Sequence, residues 1–355
     1  MKSRRSFLKS IGNLVTLASL PMTTSLAATN SRIIIVGGGV AGTRAAAYLK
    51  MSLPNAWVSL IDSAVEKAYD AQFYAIQNQY KPVGKDVLDE LGVEVIADHV
   101  RRVDPAEKNI YLQSGKTLSA DFLVMAPGVD FKWDAIANLV DGDETRLLHA
   151  WSHPSNELDL WKAIEAMKDG ESVVISVPKM PYQFPQGPYQ RATRVAHYLK
   201  SFKSRSRVLL LDHNDVFPAM HSQLKQWDEK FGPGTVEWVN AEQGGEVKKI
   251  DLASNTIYAR GDRIKAAVMN IIPPQQAGLV AREAGLNVQS DWCQVIPNTM
   301  ESTHYRNVYV IGDANNADLM FLIVISSSMT FMTGSQPRSS ASTMLRRLGK
   351  RALRW

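Results

Sequence analysis

Three glycines and one aspartate stand at spacings that suit the phosphates and ribose of a bound dinucleotide. Gly37, Gly39 and Gly42 form the pattern G-x-G-x-x-G, and Asp62 follows twenty positions after Gly42. In this pattern one glycine makes a tight turn, one lets the backbone approach a pyrophosphate, and one lets a helix pack on a strand. The aspartate is placed to accept hydrogen bonds from ribose hydroxyls, and its negative charge argues against a 2′-phosphate there.

The neighbouring residues predict the βαβ unit that would hold these groups. Ser31 to Val36 is a β-branched run, typical of a buried parallel strand, and it ends at the first glycine. T-R-A-A-A-Y-L-K then starts a helix whose free N–H groups and dipole would face the phosphates. A second strand, Trp57 to Ile61, ends at Asp62. The sequence therefore predicts a dinucleotide-binding domain.

Two later segments favour FAD as the dinucleotide. Phe122 to Gly128, F-L-V-M-A-P-G, resembles the strand-end A-T-G segment of FAD-binding oxidoreductases with two dinucleotide folds. Val308 to Ala314, V-Y-V-I-G-D-A, resembles their late G-D motif. The resemblance implies that Ala126, Gly128, Gly312 and Asp313 also bind the cofactor, with the aspartate near the ribityl chain and pyrophosphate.

A second βαβ unit follows, but it lacks the glycine pattern. S-V-V-I-S-V predicts a strand from Ser172, Arg191 to Phe202 a helix, and Arg207 to Leu211 the next strand. The loop after the first of these strands reads P-K-M-P-Y-Q-F-P-Q-G-P-Y-Q-R-A. Its prolines remove N–H donors, and Gly187 alone offers close approach to the backbone. A nicotinamide dinucleotide is therefore disfavoured at this unit.

These units predict an α/β fold with two Rossmann-like dinucleotide-fold domains, the second inserted into the first. The expected boundaries are a twin-arginine signal peptide at 1–27, an FAD-binding domain at 30–150 and 263–318, a second domain at 151–262, and an atypical basic tail at 319–355.

The N-terminus reads as an export signal. S-R-R-S-F-L-K at 3–9 precedes a modest apolar run, Ile11 to Leu20, and small residues close the segment at Ala27. Paired arginines specify the twin-arginine route, which exports folded proteins, so we expect a periplasmic protein. The run is too short and too rich in Ser, Thr and Gly for a stable membrane span.

Charge and cysteine content exclude other classes. Four cations lie in the first 27 residues and six after residue 318, with no acid in either segment, so the body between them carries a net charge of −5. Such a body does not suit nucleic acid. One cysteine, Cys293, allows no intramolecular disulfide, and it is either a small apolar residue or a reactive thiol. The seven histidines show no H-x-x-x-H spacing, so no metal site is expected.

Several segments resemble the flavoprotein subunit of flavocytochrome c sulfide dehydrogenase. They are Tyr182 to Ala192 with V-A-H-Y-L-K after it, N-I-I-P-P-Q-Q-A-G from Asn270, D-W-C-Q-V from Asp291, and E-S-T-H-Y-R-N-V-Y-V-I-G-D-A from Glu301. The resemblance spans roughly 30–318. It implies an FAD enzyme that oxidises sulfide in the periplasm and passes electrons singly to a c-type cytochrome. It also suggests that Tyr189, Gln190 and Arg191 face the flavin as catalytic candidates.

The departures from that family fall on its chemistry. Phe184 stands where the family has a redox cysteine, and Gln190 replaces an acidic residue. The stretch Tyr69 to Tyr74, where some members tether FAD, has no cysteine, so noncovalent FAD is expected. A nicotinamide-dependent disulfide reductase would need paired cysteines and a second glycine pattern, which this chain lacks.

Two functional classes remain open, and the C-terminal segment bears on the choice. After Asp318 the chain reads L-M-F-L-I-V-I-S-S-S-M-T-F and then becomes serine-rich and basic. It is either a short strand with a basic surface tail or the product of a shifted reading frame or truncation. The chain is accordingly an FAD-dependent oxidoreductase of the sulfide dehydrogenase type, or a catalytically inactive or truncated flavoprotein that acts only as a cytochrome-binding partner.

Overall fold

A computed structural model describes residues 30–63, 83–136, 139, 143–151, 154–315 and 317. The expected signal peptide, the stretch Tyr69 to Tyr74 and the expected C-terminal tail lie outside the described residues.

The first domain is built on a parallel sheet whose strands are apolar because both faces are covered. The strands and helices of this unit are β1 (Arg32–Val36), α1 (Val40–Ser52), β2 (Trp57–Ile61), α2 (Lys85–Leu91), β3 (Glu94–Ile96), β7 (Phe122–Met125) and β17 (Val308–Val310). The strand order in the sheet is β17-β7-β1-β2-β3. Ile35, Leu60 and Leu123 are fully buried, so the core lies between this sheet and its helices.

An antiparallel three-stranded meander connects β3 to β7. It consists of β4 (Val100–Asp104), β5 (Asn109–Leu112) and β6 (Thr117–Ser119). Ile110 and Leu112 of β5 alternate with more exposed residues and pack on the first-domain core. The meander thus buries one face against the first domain and leaves its other face more exposed.

The second domain has its own parallel sheet. Its elements are α3 (Pro154–Ala166), β9 (Ser172–Val177), α4 (Gly187–Phe202), β10 (Arg207–Asp212), α5 (Met220–Phe231), β11 (Val236–Val239) and β15 (Val268–Ile271). The strand order in the sheet is β11-β10-β9-β15. A second meander of β12 (Lys249–Asp251), β13 (Thr256–Ala259) and β14 (Asp262–Lys265) precedes β15.

The chain returns to the first domain later than the sequence suggested. β15 pairs with β9 in parallel, with Val268 opposite Val173, so it belongs to the second sheet. The expected boundary between 262 and 263 therefore falls inside the second domain, which extends through Ile271. An antiparallel ribbon of β8 (Val129–Phe131) and β16 (Gln275–Ala277) then joins the two domains, followed by the short helix α6 (Leu279–Glu283).

The structural neighbours described below confirm the predicted α/β fold, with parallel sheets in both units.

Candidate functional site

The glycine loop after β1 is held by contacts that leave no room for side chains at two positions. Gly37 has φ +105°, and a Cβ there would lie 2.2 Å from the Ala126 carbonyl oxygen. A Cβ on Gly42 would lie 1.8 Å from the Gly37 carbonyl oxygen. Gly37 therefore permits the tight turn, Gly42 permits α1 to pack closely on it, and the backbone of Ala126 packs against the loop.

Gly39 differs from its two neighbours in the motif because it faces open space. It caps α1 with φ −67° and ψ −169°, and a Cβ there would meet no described atom within 4 Å. The first N–H groups of a helix lack partners within the helix and carry the positive end of its dipole. The loop thus offers an accessible backbone and N–H donors to an anionic group.

Asp62 lies beside this loop, at the carboxyl end of β2. One carboxylate oxygen accepts a hydrogen bond from the Gly38 backbone N–H at 2.5 Å. The Asp62 side chain is half-buried, so the carboxylate closes one side of the loop. This is the position from which the sequence predicted contact with a ribose.

The late G-D segment meets the start of α1. Gly312 has φ +72°, and a Cβ there would lie 2.8 Å from the Ala41 Cβ. The neighbouring Asp313 is exposed to solvent, yet so much protein surrounds it that desolvation raises its carboxyl pKa. Asp313 is therefore solvent-accessible but closely surrounded by protein. We call the carboxyl edge of the first sheet, with Gly39, Asp62 and the turn that carries Asp313, the first-domain recess.

The eight predicted cofactor residues therefore gather at the carboxyl edge of one sheet, where ligands bind in open α/β folds. Among these residues, Gly128 lies just beyond β7 and has φ +68°. A Cβ added at Gly128 would meet no described atom within 4 Å. The donor set suits FAD: an open helix start for a pyrophosphate, one carboxylate at a ribose position and a second carboxylate, Asp313, in the recess.

The corresponding place in the second domain is filled by protein. A Cβ on Gly187, at the start of α4, would lie 2.5 Å from a Phe184 ring carbon and 2.6 Å from a Trp151 ring carbon. Asp212 is the last residue of β10, and Asp62 directly follows β2. The Asp212 carboxylate, however, accepts hydrogen bonds from Tyr189 Oη at 2.6 Å and Trp238 Nε1 at 2.8 Å. The second domain thus satisfies internally both groups that a dinucleotide would use.

The three catalytic candidates do not share a face. The sequence predicted that α4 begins at Arg191, whereas it begins at Gly187, which places Tyr189, Gln190 and Arg191 on the helix. Consecutive helical residues point about 100° apart, so three in a row cannot line one surface. Gln190 is exposed and contacts Gln186, while Tyr189 is buried against Asp212, and its burial raises the pKa of its phenol.

Arg191 supports the segment that crosses between the domains. Its guanidinium lies 3.0 Å from a carboxylate oxygen of the fully buried Glu157 and also donates to the carbonyl oxygens of His149 and Ala150. Asn270 accepts from the same guanidinium at 3.1 Å and donates to the His149 carbonyl oxygen at 2.9 Å. Arg191 and Asn270 therefore hold the crossover backbone against the second domain.

The sequence did not predict the buried residues that form this hydrogen-bond network and a second one around Asp212. Glu157, Asn270, Asp212 and Asn214 are polar and buried, and each has a hydrogen-bond partner at least 23 positions away in the chain. The available signal was an isolated polar residue within an apolar strand, such as the asparagine in V-M-N-I.

Cys293 is a buried apolar residue rather than a reactive thiol. It is fully buried behind the G-D segment, where its backbone N–H donates to the Ala314 carbonyl oxygen at 2.9 Å. Burial raises the pKa of the thiol to about 12, so almost no thiolate exists at neutral pH.

Two further features concern the described residues only. None of their helices is both long and apolar enough to cross a bilayer. No group of three or more His, Cys, Asp or Glu side chains among them is arranged to hold a metal ion.

Comparison with known proteins defines the class of this fold. Residues 31–157 match the pyridine nucleotide-disulphide oxidoreductase family model. Residues 158–273 match the model of the central part of the sulfide dehydrogenase [flavocytochrome c] flavoprotein chain. The chain has the architecture of FAD-dependent pyridine nucleotide-disulphide oxidoreductases, and these matches, with the relatives below, support an FAD-binding oxidoreductase.

The more particular relatives are sulfide:quinone oxidoreductases. The mitochondrial enzyme of Dictyostelium discoideum is 23% identical over 81% of this chain and 66% of its own length. That of Mus musculus is 21% identical over 80% of this chain and 65% of its own length, so the chain spans about two thirds of these relatives.

Solved structures show the same fold. The sulfide:quinone oxidoreductase of Aquifex aeolicus has a TM-score of 0.63 at 16% identity, covering 90% of this chain and 77% of that one. Putidaredoxin reductase in its covalent complex with putidaredoxin has a TM-score of 0.62 at 15% identity, covering 87% and 76%.

Proposed function

We propose that this chain is a periplasmic oxidoreductase that holds FAD noncovalently in the first-domain recess, takes electrons from a reduced sulfur donor such as sulfide, and passes them to a c-type cytochrome. The observation that carries the proposal is the contrast between Gly39 and Gly187. A Cβ on Gly39 would meet no described atom within 4 Å, whereas one on Gly187 would meet two aromatic rings within 2.6 Å. One dinucleotide site is thus open, and its counterpart is closed.

This contrast bears on the electron partners. Bound FAD would accept an electron pair from a donor and release it to an acceptor. With the Gly187 position covered and Asp212 engaged by Tyr189 and Trp238, NAD(P)H has no matching cradle in the second domain. The model match to a flavocytochrome c flavoprotein chain and the sulfide:quinone oxidoreductase relatives support a sulfur donor.

The chain's own residues limit how sulfur can react. The one thiol of the chain, Cys293, is buried and protonated, and Phe184 stands at the family's cysteine position. A covalent relay through cysteine sulfur is therefore unavailable, and a cysteine tether to FAD is equally unavailable. Oxidation of hydrosulfide to zero-valent sulfur releases one proton and two electrons, which two one-electron cytochromes then take up.

The absence of a reactive thiol also favours a second candidate, a flavoprotein that binds FAD and a cytochrome without oxidising sulfide. Anaerobic titration separates the two. The exported chain is purified, its visible spectrum is recorded before and after acid precipitation, and sulfide, NADH or NADPH is added under argon.

Release of yellow FAD by acid, bleaching by sulfide and not by NAD(P)H, and reoxidation by cytochrome c would support the proposal. Sulfide also reduces free flavin and cytochrome directly, so rates are compared with those of the Gly39→Ala variant. Bound FAD that sulfide does not bleach would favour the second candidate. Reoxidation by a soluble quinone instead of cytochrome would overturn the acceptor assignment, and failure to take up FAD would overturn both candidates.

A further inference from the structure

We infer that Gln183 is a positioning residue that couples the proline-rich loop of the second domain to the FAD-binding turn of the first. The inference rests on the proposed binding of FAD in the first-domain recess, although it needs neither sulfide nor a cytochrome. The loop in question is 178–186, between β9 and α4.

Gln183 reaches the first domain and the connecting ribbon at once. Its backbone N–H donates to Gln275 Oε1 at 2.9 Å, and its side-chain Nε2 donates to the Asn315 carbonyl oxygen at 3.3 Å. Gln275 and Asn315 are only 3% and 5% exposed, so water competes little for either bond. With Gln275 Oε1 engaged by the loop, its buried Nε2 has no hydrogen-bond partner among the described residues. The orientation of this amide is therefore set by its bond to Gln183.

Asn315 carries the contact to the cofactor-binding turn. Its Nδ2 donates to the carbonyl oxygens of Val310 at 3.2 Å and Gly312 at 2.9 Å, and its Oδ1 accepts from the Ala317 N–H at 2.9 Å. These bonds fix the turn on which Asp313 stands. Because Gln183 holds the backbone of Asn315, a shift of the loop also shifts this turn.

The other end of the loop is tied to the second-domain core. Asn214 Nδ2 donates to the Pro178 carbonyl oxygen at 2.8 Å, and Asn214 Oδ1 accepts from the Met180 N–H at 2.9 Å. Asn214 is itself held by Asp212 through two hydrogen bonds. The loop is thus anchored on both domains, and contiguous hydrogen bonds of this kind are a physical route for coupling.

Phe184 shows that the loop is constrained between these anchors. It has φ +58°, a left-handed conformation that a bulky residue adopts only when its surroundings impose it. Gln183 is held on one side of it, and on the other the Gly187 N–H donates to the Phe184 carbonyl oxygen at 2.9 Å. The Gln183 bonds therefore help to impose the conformation that places the Phe184 ring over the start of α4.

The test uses Gln183→Glu and Gln183→Ala in the full chain. Glutamate keeps the size of the side chain but faces the Asn315 carbonyl with an acceptor, whereas alanine removes the contact and keeps the backbone bond to Gln275. Gln226→Ala, an exposed glutamine on α5, is the matched control. FAD dissociation constants, the visible spectrum of bound flavin and apo-protein melting temperatures are measured for all variants.

We expect the FAD dissociation constant to rise about three- to tenfold in Gln183→Ala, the net worth of one hydrogen bond, and further in Gln183→Glu. Loss of the contact should lower the apo-protein melting temperature by a few degrees at most. The flavin absorption bands should also shift when the variants are saturated with FAD, which a purely structural role would not produce. Combined with Gln275→Leu, the effect of Gln183→Ala should be non-additive, since both changes loosen the same loop.

If the wild type binds FAD and both Gln183 variants match Gln226→Ala in affinity and spectrum, the inference is wrong although the proposed function stands. Additive effects of Gln183→Ala and Gln275→Leu would also contradict it. If the wild-type chain does not take up FAD, the proposed function fails, and this inference fails with it.

Discussion

Replacing Gly39 by alanine separates cofactor binding from folding more cleanly than any other change in the glycine loop. The backbone at Gly39 has φ −67° and ψ −169°, which alanine adopts without strain. Because no described atom lies within 4 Å of the added Cβ, the protein without cofactor should accommodate it. The methyl group would instead occupy the space through which the pyrophosphate of FAD approaches the backbone.

The two effects have different magnitudes. Removal of a glycine at a compatible φ stabilises by about 0.4–1 kcal/mol through the unfolded chain, and alanine is a poorer helix cap than glycine, so the apo-protein should change by less than about 1 kcal/mol. Forcing one methyl group into a packed contact costs about 1–3 kcal/mol. This corresponds to roughly 5- to 150-fold weaker FAD binding.

The assay is thermal unfolding of the apo-protein with and without FAD, together with a fluorescence titration of FAD. Gly84→Ala is the matched control, since Gly84 also caps a helix, with φ −62° and ψ 153°, and its Cβ would meet only the flexible carboxylate of Asp86 at 2.5 Å. Gly42→Ala provides the opposite case, because a Cβ 1.8 Å from the Gly37 carbonyl oxygen must lower the stability of the apo-protein itself. If Gly39→Ala binds FAD as tightly as the wild type, the assignment of this glycine to the pyrophosphate is refuted.

Three further changes test the surrounding structure. Arg191→Met should lower the free energy of unfolding by about 3–5 kcal/mol in urea titrations. The change removes one partner of the buried Glu157 carboxylate and leaves Arg194 as its cationic neighbour. A loss below about 1 kcal/mol would contradict the importance of the buried ion pair. Between pH 7 and pH 10 the free energy of unfolding of the wild type should fall by about 2 kcal/mol more than that of Cys293→Ala. Burial raises the pKa of the folded thiol to about 12, whereas the unfolded thiol ionises near 8.5, so this stabilising contribution is present below about pH 8.5 and is lost as the pH rises. Parallel curves of stability against pH for the two proteins would refute this. Asp62→Asn should raise the FAD dissociation constant about tenfold while the Gly38 N–H keeps an acceptor, and unchanged affinity would remove Asp62 from the site.

The sequence predicted the first-domain recess because its determinants are local. A buried strand, a glycine turn and a helix follow one another within residues 32–52. Glycine is required at Gly37 by its φ of +105° and at Gly42 by the nearby Gly37 carbonyl oxygen. The position of Asp62 follows from the length of one βαβ unit. Gly312 and Ala41 are far apart in the chain and close in the fold. The sequence predicted that Gly312 lies at the cofactor site only because the late G-D segment resembles that of FAD-binding oxidoreductases.

The errors arose where partners are distant in the chain. The apolar segment V-M-N-I is compatible with a buried strand in either sheet, so the sequence could not show that it pairs with β9. Because of this pairing, the second domain extends beyond the predicted boundary at residue 263. The family resemblance placed Arg191 at the flavin, and the sequence could not show its buried partners Glu157 and Asn270, which lie 34 and 79 positions away. A charged residue near a motif predicts a ligand contact only when no buried counter-charge competes for it.

The two βαβ units of this chain show how one backbone plan gives a ligand site or a structural core. Each has a helix that begins after a parallel strand and an aspartate at the carboxyl end of the next strand. In the first unit the helix start is open at Gly39, and Asp62 closes the loop while remaining half-buried at its edge. In the second, two aromatic rings cover Gly187, and Asp212 is fully buried with side-chain donors of its own. A polar group that is already satisfied gains little from a ligand, whereas the open helix start gains hydrogen bonds that the fold does not supply. This difference is the physical basis for proposing that the dinucleotide binds in the first domain.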